Sequence, residues 1–384
     1  MMKPTKNNYS FAITIVVALA ATAYLVALMY TEAQSRVLLL LAGGVIAALA
    51  AIKSGLLARL NGGETSQGNR LEALAIICVL LFAACCYDQH FSLLMLATVL
   101  LIATACLGLT LQMGFAGVVN FAGAAFFGVG SYAAAVLTQH TALPHLLIPI
   151  VGGALAALIG SLLILPVLRT KGHYAALVTI AFGILFKTFL EVNDVLGGPQ
   201  GLKVKGMQLF GWNFNDNIEI GAGEISFYMN YVLLALILFV LAFTTVRRIE
   251  RSWIGLALDS VRIDELAASA FGIHAARWKI LAFTLGNFFA GLAGAAFAMM
   301  LGFIAPNNFT ISDSLIMVSI VVLGGIGNVW GVPVAAAIVL VLPEKLQVLQ
   351  EYRFLLYAAL VIVMLLVRPQ GLLPRAMRRY PTAR

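Results

Sequence analysis

Charge is scarce in this chain. Of 384 residues only 10% are Asp, Glu, Lys or Arg, against 62% hydrophobic, whereas a soluble domain carries roughly 25% charged residues. From Gln89 to Leu168 no formal charge occurs at all. A soluble core cannot hide such a run, while a bilayer accepts it as successive spans of about 20 residues each. Backbone groups in lipid must be paired within helices or a closed barrel, and a barrel would alternate in strands about 10 residues long. These runs are continuous and rich in Leu, Ala and Gly, which predicts an all-α, polytopic membrane helix bundle. Cysteine is sparse too: Cys78, Cys85, Cys86 and Cys106 show no metal-type spacing and read as small apolar core residues. There is no G-x-x-x-x-G-K-[ST] phosphate loop and no H-E-x-x-H pair. His140 and His145 lack an acidic neighbour. No catalytic constellation assembles, so the sequence predicts neither enzyme, cofactor nor metal site.

What is present is a series of apolar runs near 10–30, 37–52, 73–87, 91–111, 118–138, 146–168, 174–190, 227–246, 279–304, 312–326, 328–343 and 353–367. They amount to about 10–12 transmembrane or half-spanning helices, the two around Gly324–Gly327 being short. Lys3 and Lys6 precede an uncharged stretch from Asn7 to Thr31, longer than the roughly 7–15 residues of a signal-peptide core. It reads as a retained first helix. The net charge of +8 is explained by orientation rather than by nucleic acid. With both termini cytoplasmic, most of the 24 Lys and Arg residues fall on the inner side. Organisation is then one membrane domain over 1–384: N-terminal helices to residue 90, a core over 91–375, and a basic inner segment over 247–278.

That inner segment is the most informative. Asp264 and Glu265 crowd the start of a short helix, matching its dipole. Leu266, Ala270 and Ile273 share one helical face, and Gly272 suits the position just past the end. A capped helix at the cytoplasmic mouth is a candidate docking knob for a cytosolic partner. Two glycine clusters break or thin the spans: Gly114, Gly117, Gly123, Gly128 and Gly130, then Gly324, Gly325, Gly327 and Gly331. Such clusters either let helices pack closely or mark interrupted helices lining a path, often in two similar halves. Asn120 and Asn328 follow the clusters and are candidates to offer amides to a passing zwitterion. Lys187 and Glu191 are spaced for an interfacial ion pair, and Asp313 for a helix N-terminus.

Several stretches resemble the M-type permease of branched-chain amino acid ABC importers. They are Leu168-Arg-Thr-Lys-Gly-His-Tyr174, Gly197-Gly-Pro-Gln-Gly-Leu202, Val322-Leu-Gly-Gly-Ile-Gly-Asn328 with Gly331, and Arg368-Pro-Gln-Gly-Leu-Leu-Pro374. Ala267, Ala268 and Gly272 fit the Glu-Ala-Ala, three residues, Gly signature, with Leu266 at its Glu position. The sequence departs at His173 and Ile184, where the family usually carries acidic residues. The resemblance implies translocation of branched-chain or other hydrophobic amino acids across the inner membrane. It also implies a second related permease subunit, two cytosolic ATP-binding subunits and an extracytoplasmic solute-binding protein. Urea or a short amide is the alternative cargo, and an ion-coupled secondary transporter the rival class. That rival needs intramembrane carboxylates, for which only Asp313 and Glu191 come close.

In a variant stripped of native cysteines, a single cysteine placed between Arg247 and Arg277 is expected to resist a membrane-impermeant maleimide in intact cells. It should react in inside-out vesicles. Labelling in intact cells refutes the orientation.

Overall fold

The computed structural model describes residues 5–31, 35–37, 64–169, 174–209, 211–220, 223–346 and scattered positions within 39–44 and 352–375. The expected spans 37–52 and 353–367 lie largely outside them, as do Lys171 and His173. The protein is an all-α polytopic membrane bundle. Six helical segments among the described residues are long and apolar enough to cross a membrane.

In chain order, α1 (Thr5–Tyr30) and α2 (Glu64–Cys85) pack on each other. The core follows: α3 (His90–Leu109), α4 (Gly123–His140), α5 (Ile148–Arg169), α6 (Tyr174–Val192) and α7 (Tyr228–Arg251). Two short helices, α8 (Trp253–Ile263) and α9 (Glu265–Ala270), cross one end of the bundle, here called its base. The chain then rises through α10 (Ala275–Leu301), returns in α11 (Ile311–Gly324) and leaves in α12 (Gly331–Lys345). The opposite end carries the longest polar connection. There Leu202–Lys203 pairs antiparallel with Phe303–Ile304, and Gln208–Leu209 and Ile218–Ile220 pair with Trp212–Asn213 and Gly223–Ile225.

The hub is α10, which packs against α3, α4, α5 and α7. Without a hydrophobic driving force between helices in lipid, association depends on close van der Waals packing, which small residues permit. Gly286, Gly291 and Gly294 supply it. A Cβ on Gly130 would overlap the Gly291 carbonyl, and one on Gly294 would overlap that of Phe127. Gly128 and Gly130, expected to thin α4, thus lie inside an intact helix, and Gly130 is a close-packing residue.

Several boundaries differ from the periodicity reading, α2 beginning at Glu64 rather than near 73. The helix expected from residue 118 begins at Gly123, after an extended stretch, and the one expected from 328 begins at Gly331. The N-terminal pair is fastened to the core at two levels. Glu72 Oε1 on α2 lies 3.0 Å from the buried Arg247 Nε on α7, whose guanidinium also stacks 5.2 Å from the Trp330 ring. At the far end Lys345 Nζ donates to the Met29 carbonyl at 2.7 Å, and within the pair itself Tyr30 Oη donates to the Cys85 carbonyl at 2.8 Å.

Replacing Gly130 or Gly294 by Ala is expected to destabilise the bundle by about 1–3 kcal/mol, because backbone must shift. Gly183→Ala, whose Cβ meets nothing within 4 Å, should be near neutral. Thermal unfolding of the three variants in detergent measures the contrast.

Candidate functional site

The base of the bundle gathers the short helices and both glycine breaks. Asp264 caps α9: its Oδ1 accepts from the backbone of Leu266 at 2.9 Å and Ala267 at 3.0 Å. Glu265 pairs with Lys279 at the foot of α10. At the other end Gly272 adopts φ +78°, and Ile273 N donates back to the Ala268 carbonyl at 3.1 Å. This is a glycine-terminated cap that satisfies an orphan carbonyl. Ala268 is the buried anchor of α9, while Ala267 faces out. Of the apolar face read from the sequence, Leu266 and Ala270 are turned away from the bundle, while Ile273 is half-buried. Leu266 is 83% exposed, Phe271 86% and the adjoining Ile263 78%. Beside it lies a cleft of about 570 Å³ lined by Trp253, Trp278, Ile273, His274 and Arg277 among others.

The first break follows α3. Its helix widens into a π-turn, Thr110–Phe115, and Gly117 turns the chain at φ +69°, a region closed to most side chains. From there to Ala122 the backbone runs without helical pairing, exposed at Gly117 and buried at Asn120 and Ala122. Irregular backbone at membrane depth persists only where protein or a cavity supplies its partners. Here protein does: Thr179 Oγ1 on α6 accepts from Phe121 N at 3.1 Å, and Ser314 Oγ on α11 from Ala124 N at 3.0 Å. Asn120 Oδ1 accepts from Ala122 N at 2.8 Å.

Asn120 also belongs to a buried amide cluster with two residues that the sequence reading passed over. Its Nδ2 donates to Gln112 Oε1 at 2.7 Å, and Gln112 Nε2 donates to Asn287 Oδ1 at 2.9 Å and to the Phe283 carbonyl at 3.0 Å. All three side chains are buried. The available signal was an amide inside an apolar run, Leu111-Gln112-Met113 and Gly286-Asn287-Phe288.

The second break separates α11 from α12. Gly325 and Gly327 take φ +107° and +85°, and a Cβ on Gly324 would come within 2.7 Å of the Gly331 backbone. The two breaks, far apart in sequence, meet: a Cβ on Gly114 would sit 2.5 Å from Gly327 Cα. Gly117 in turn abuts Arg262 of α8, where a Cβ would lie 3.0 Å from Cγ. Asn328 is placed away from the amide cluster. Its Nδ2 donates to the Leu373 carbonyl at 2.9 Å and its Oδ1 accepts from Trp330 N at 2.9 Å. The two carboxylates that an ion-coupled carrier would need, Asp313 and Glu191, serve the helices. Asp313 Oδ2 accepts from Thr310 N at 2.9 Å in a capping box, and Glu191 pairs with Lys187 at 3.2 Å. Among the described residues no three His, Cys, Asp or Glu side chains gather as a metal site would require.

A family described as "Branched-chain amino acid transport system / permease component" matches residues 91–367, which takes in both breaks and the α8–α9 segment. The chain belongs to this family. It is 35% identical over 263 residues to the high-affinity branched-chain amino acid transport system permease protein LivM of Escherichia coli, and equally to that of Salmonella typhimurium. Each alignment covers 65% of this chain and 62% of the relative. No solved structure matches. In this family member Glu72 and Arg375 fall outside the matched span, whereas Gln112, Asn120 and Asn287 fall inside it.

Removing Asn120 strands Ala122 N and a Gln112 oxygen in a dry interior, and each unpaired group costs about 1–3 kcal/mol. Asn120→Leu is therefore expected to lower the melting temperature of the purified protein. Gln112→Leu should cost less in that background than in the wild-type protein, because the oxygen it removes is already stranded there. Additive losses would refute the cluster as a unit.

Proposed function

We propose that this chain is a transmembrane permease subunit of an ATP-driven importer, moving branched-chain amino acids inward across the cytoplasmic membrane. The observation that carries the reading is the base. A helix capped at both ends presents Leu266 and Phe271 outward, and its neighbour α8, which ends in the exposed Ile263, touches the first helix break through Arg262 and Gly117. Exposed apolar side chains flanking a short, rigid element are the anchors a partner's groove takes up. Two cytosolic ATP-binding subunits supply that groove for a pair of related permeases, and an extracytoplasmic binding protein delivers cargo to the opposite end. Both termini then face the cytoplasm. ATP-driven closure presses on Asp264–Gly272 and rocks the bundle as a rigid body between outward and inward openings.

Affinity resides mainly in the binding protein. The membrane path needs only small-residue walls, the role assigned to Gly114, Gly117, Gly324, Gly325 and Gly327. Asn120 and Asn328, expected to offer amides to a passing zwitterion, instead spend them on Gln112, Ala122, Leu373 and Trp330 and shape the two breaks. The cargo class rests on the relatives, whose names specify branched-chain amino acids. An ion-coupled carrier is disfavoured, since Asp313 and Glu191 are committed to a capping box and an ion pair.

The test exploits exposure. Leu266→Glu with Phe271→Glu leaves the packed face of α9 intact, so the protein should insert normally. Losing two apolar anchors costs about 2 kcal/mol or more of docking energy, roughly a 30-fold weaker association. Leucine uptake in cells carrying the complete importer is expected to fall at least tenfold. Undiminished uptake refutes the docking role, and uptake that persists without the ATPase subunits refutes the class.

A further inference from the structure

The stretch Arg368-Pro-Gln-Gly-Leu-Leu-Pro374 and the Arg375 behind it have no role in the scheme above. The structure places part of this segment as a strap across the base. Leu372 N donates to the Leu323 carbonyl at 2.8 Å and Leu373 N to that of Gly324 at 3.2 Å. The strap thereby satisfies carbonyls that the end of α11 leaves without helical partners. It approaches so closely that a Cβ on Gly371 would lie 2.5 Å from Gly325 Cα. Asn328 seals the contact through the Leu373 carbonyl.

Arg375 then reaches three elements with one side chain. Its Nη1 and Nη2 donate to Asp259 Oδ1 at 2.7 Å and Oδ2 at 2.9 Å, a two-pronged pair to α8. Its guanidinium stacks 4.3 Å from the centre of the Phe115 ring, at the end of the first break's π-turn. Its stem runs beside the second break, where a Cβ on Gly327 would stand 3.0 Å from Cδ. The pair is shielded, with side chains 14% and 16% exposed. A planar fork on a carboxylate resists rotation as well as separation. Away from bulk water the link is stiff, and truncating one member leaves the other charge uncompensated.

We infer that the Asp259–Arg375 pair is the rigid link through which displacement of the docking helices reaches both helix breaks, making Arg375 a positioning residue for coupling. The inference rests on the proposed function. Without the pair, α8 and α9 slide over the base, and ATP is spent without opening the path.

The experiment reconstitutes the complete importer in proteoliposomes and measures leucine transported per ATP hydrolysed, together with the amount of assembled complex. Arg375→Lys keeps the charge and loses the fork. Arg375→Gln and Asp259→Asn lose the pair. Asp259→Arg with Arg375→Asp restores it in reverse. A coupling free energy of the usual size corresponds to roughly 5–150-fold. Transport per ATP should fall by about tenfold in Arg375→Gln and Asp259→Asn, fall less in Arg375→Lys, and recover in the reversed pair. A purely structural role would lower assembled complex and leave the ratio unchanged. A wild-type ratio in Arg375→Lys and in whichever other single variants assemble overturns the link. ATP-independent transport by the wild-type protein overturns instead the functional reading beneath it.

Discussion

Everything in this bundle depends on a backbone polar group having nowhere to go in lipid except to another protein group. That constraint makes the chain helical, since helices pair their own amides, and it makes any departure from helix expensive. The departures are therefore informative. The chain leaves helical geometry between Gly117 and Ala122, where the amides of Val118, Phe121 and Ala122 are met by the Gln112 carbonyl, Thr179 and the Asn120 side chain, and Ser314 receives Ala124 N at the start of the next helix. It leaves helical geometry again after Gly324, and the strap at 371–373 provides the missing donors. Breaks supported so fully are built features.

Small residues set how those breaks relate to the rest. α10 approaches its neighbours through Gly286, Gly291 and Gly294 at distances where a single methyl group has no room. Packing of this kind is close to all-or-none, because interlocked interfaces favour discrete arrangements over gradual deformation. Under the proposed function a bundle so packed would move as blocks, with displacement concentrated at Gly117, Gly325 and Gly327, where the backbone takes positive φ. The breaks lie next to each other and next to α8, the adjacency on which the proposed coupling rests. The N-terminal pair, fastened by Glu72 to Arg247 and by Met29 to Lys345, is outside the family match and braces the face formed by α7 and α12.

Composition and patterning by themselves determined the class. A charge-free run from Gln89 to Leu168 is decisive for a bilayer whatever its tertiary arrangement, because the cost of lipid exposure is paid residue by residue. The capped helix at Asp264–Gly272 was legible for the same reason: capping is local chemistry within a few positions. So were the Lys187–Glu191 pair and the placement of Asp313. Tertiary structure decided what depends on neighbours distant in sequence. Gly128 and Gly130 resemble Gly114 and Gly117 as letters, yet the former sit within α4 and the latter form a break, according to what opposes them. Gln112 and Asn287, separated along the chain, became one cluster only when α3 and α10 crossed. Arg375 became a three-way contact only when the end of the chain folded back to the base. Periodicity records which face of a helix is apolar; it carries no record of which other helix that face will meet.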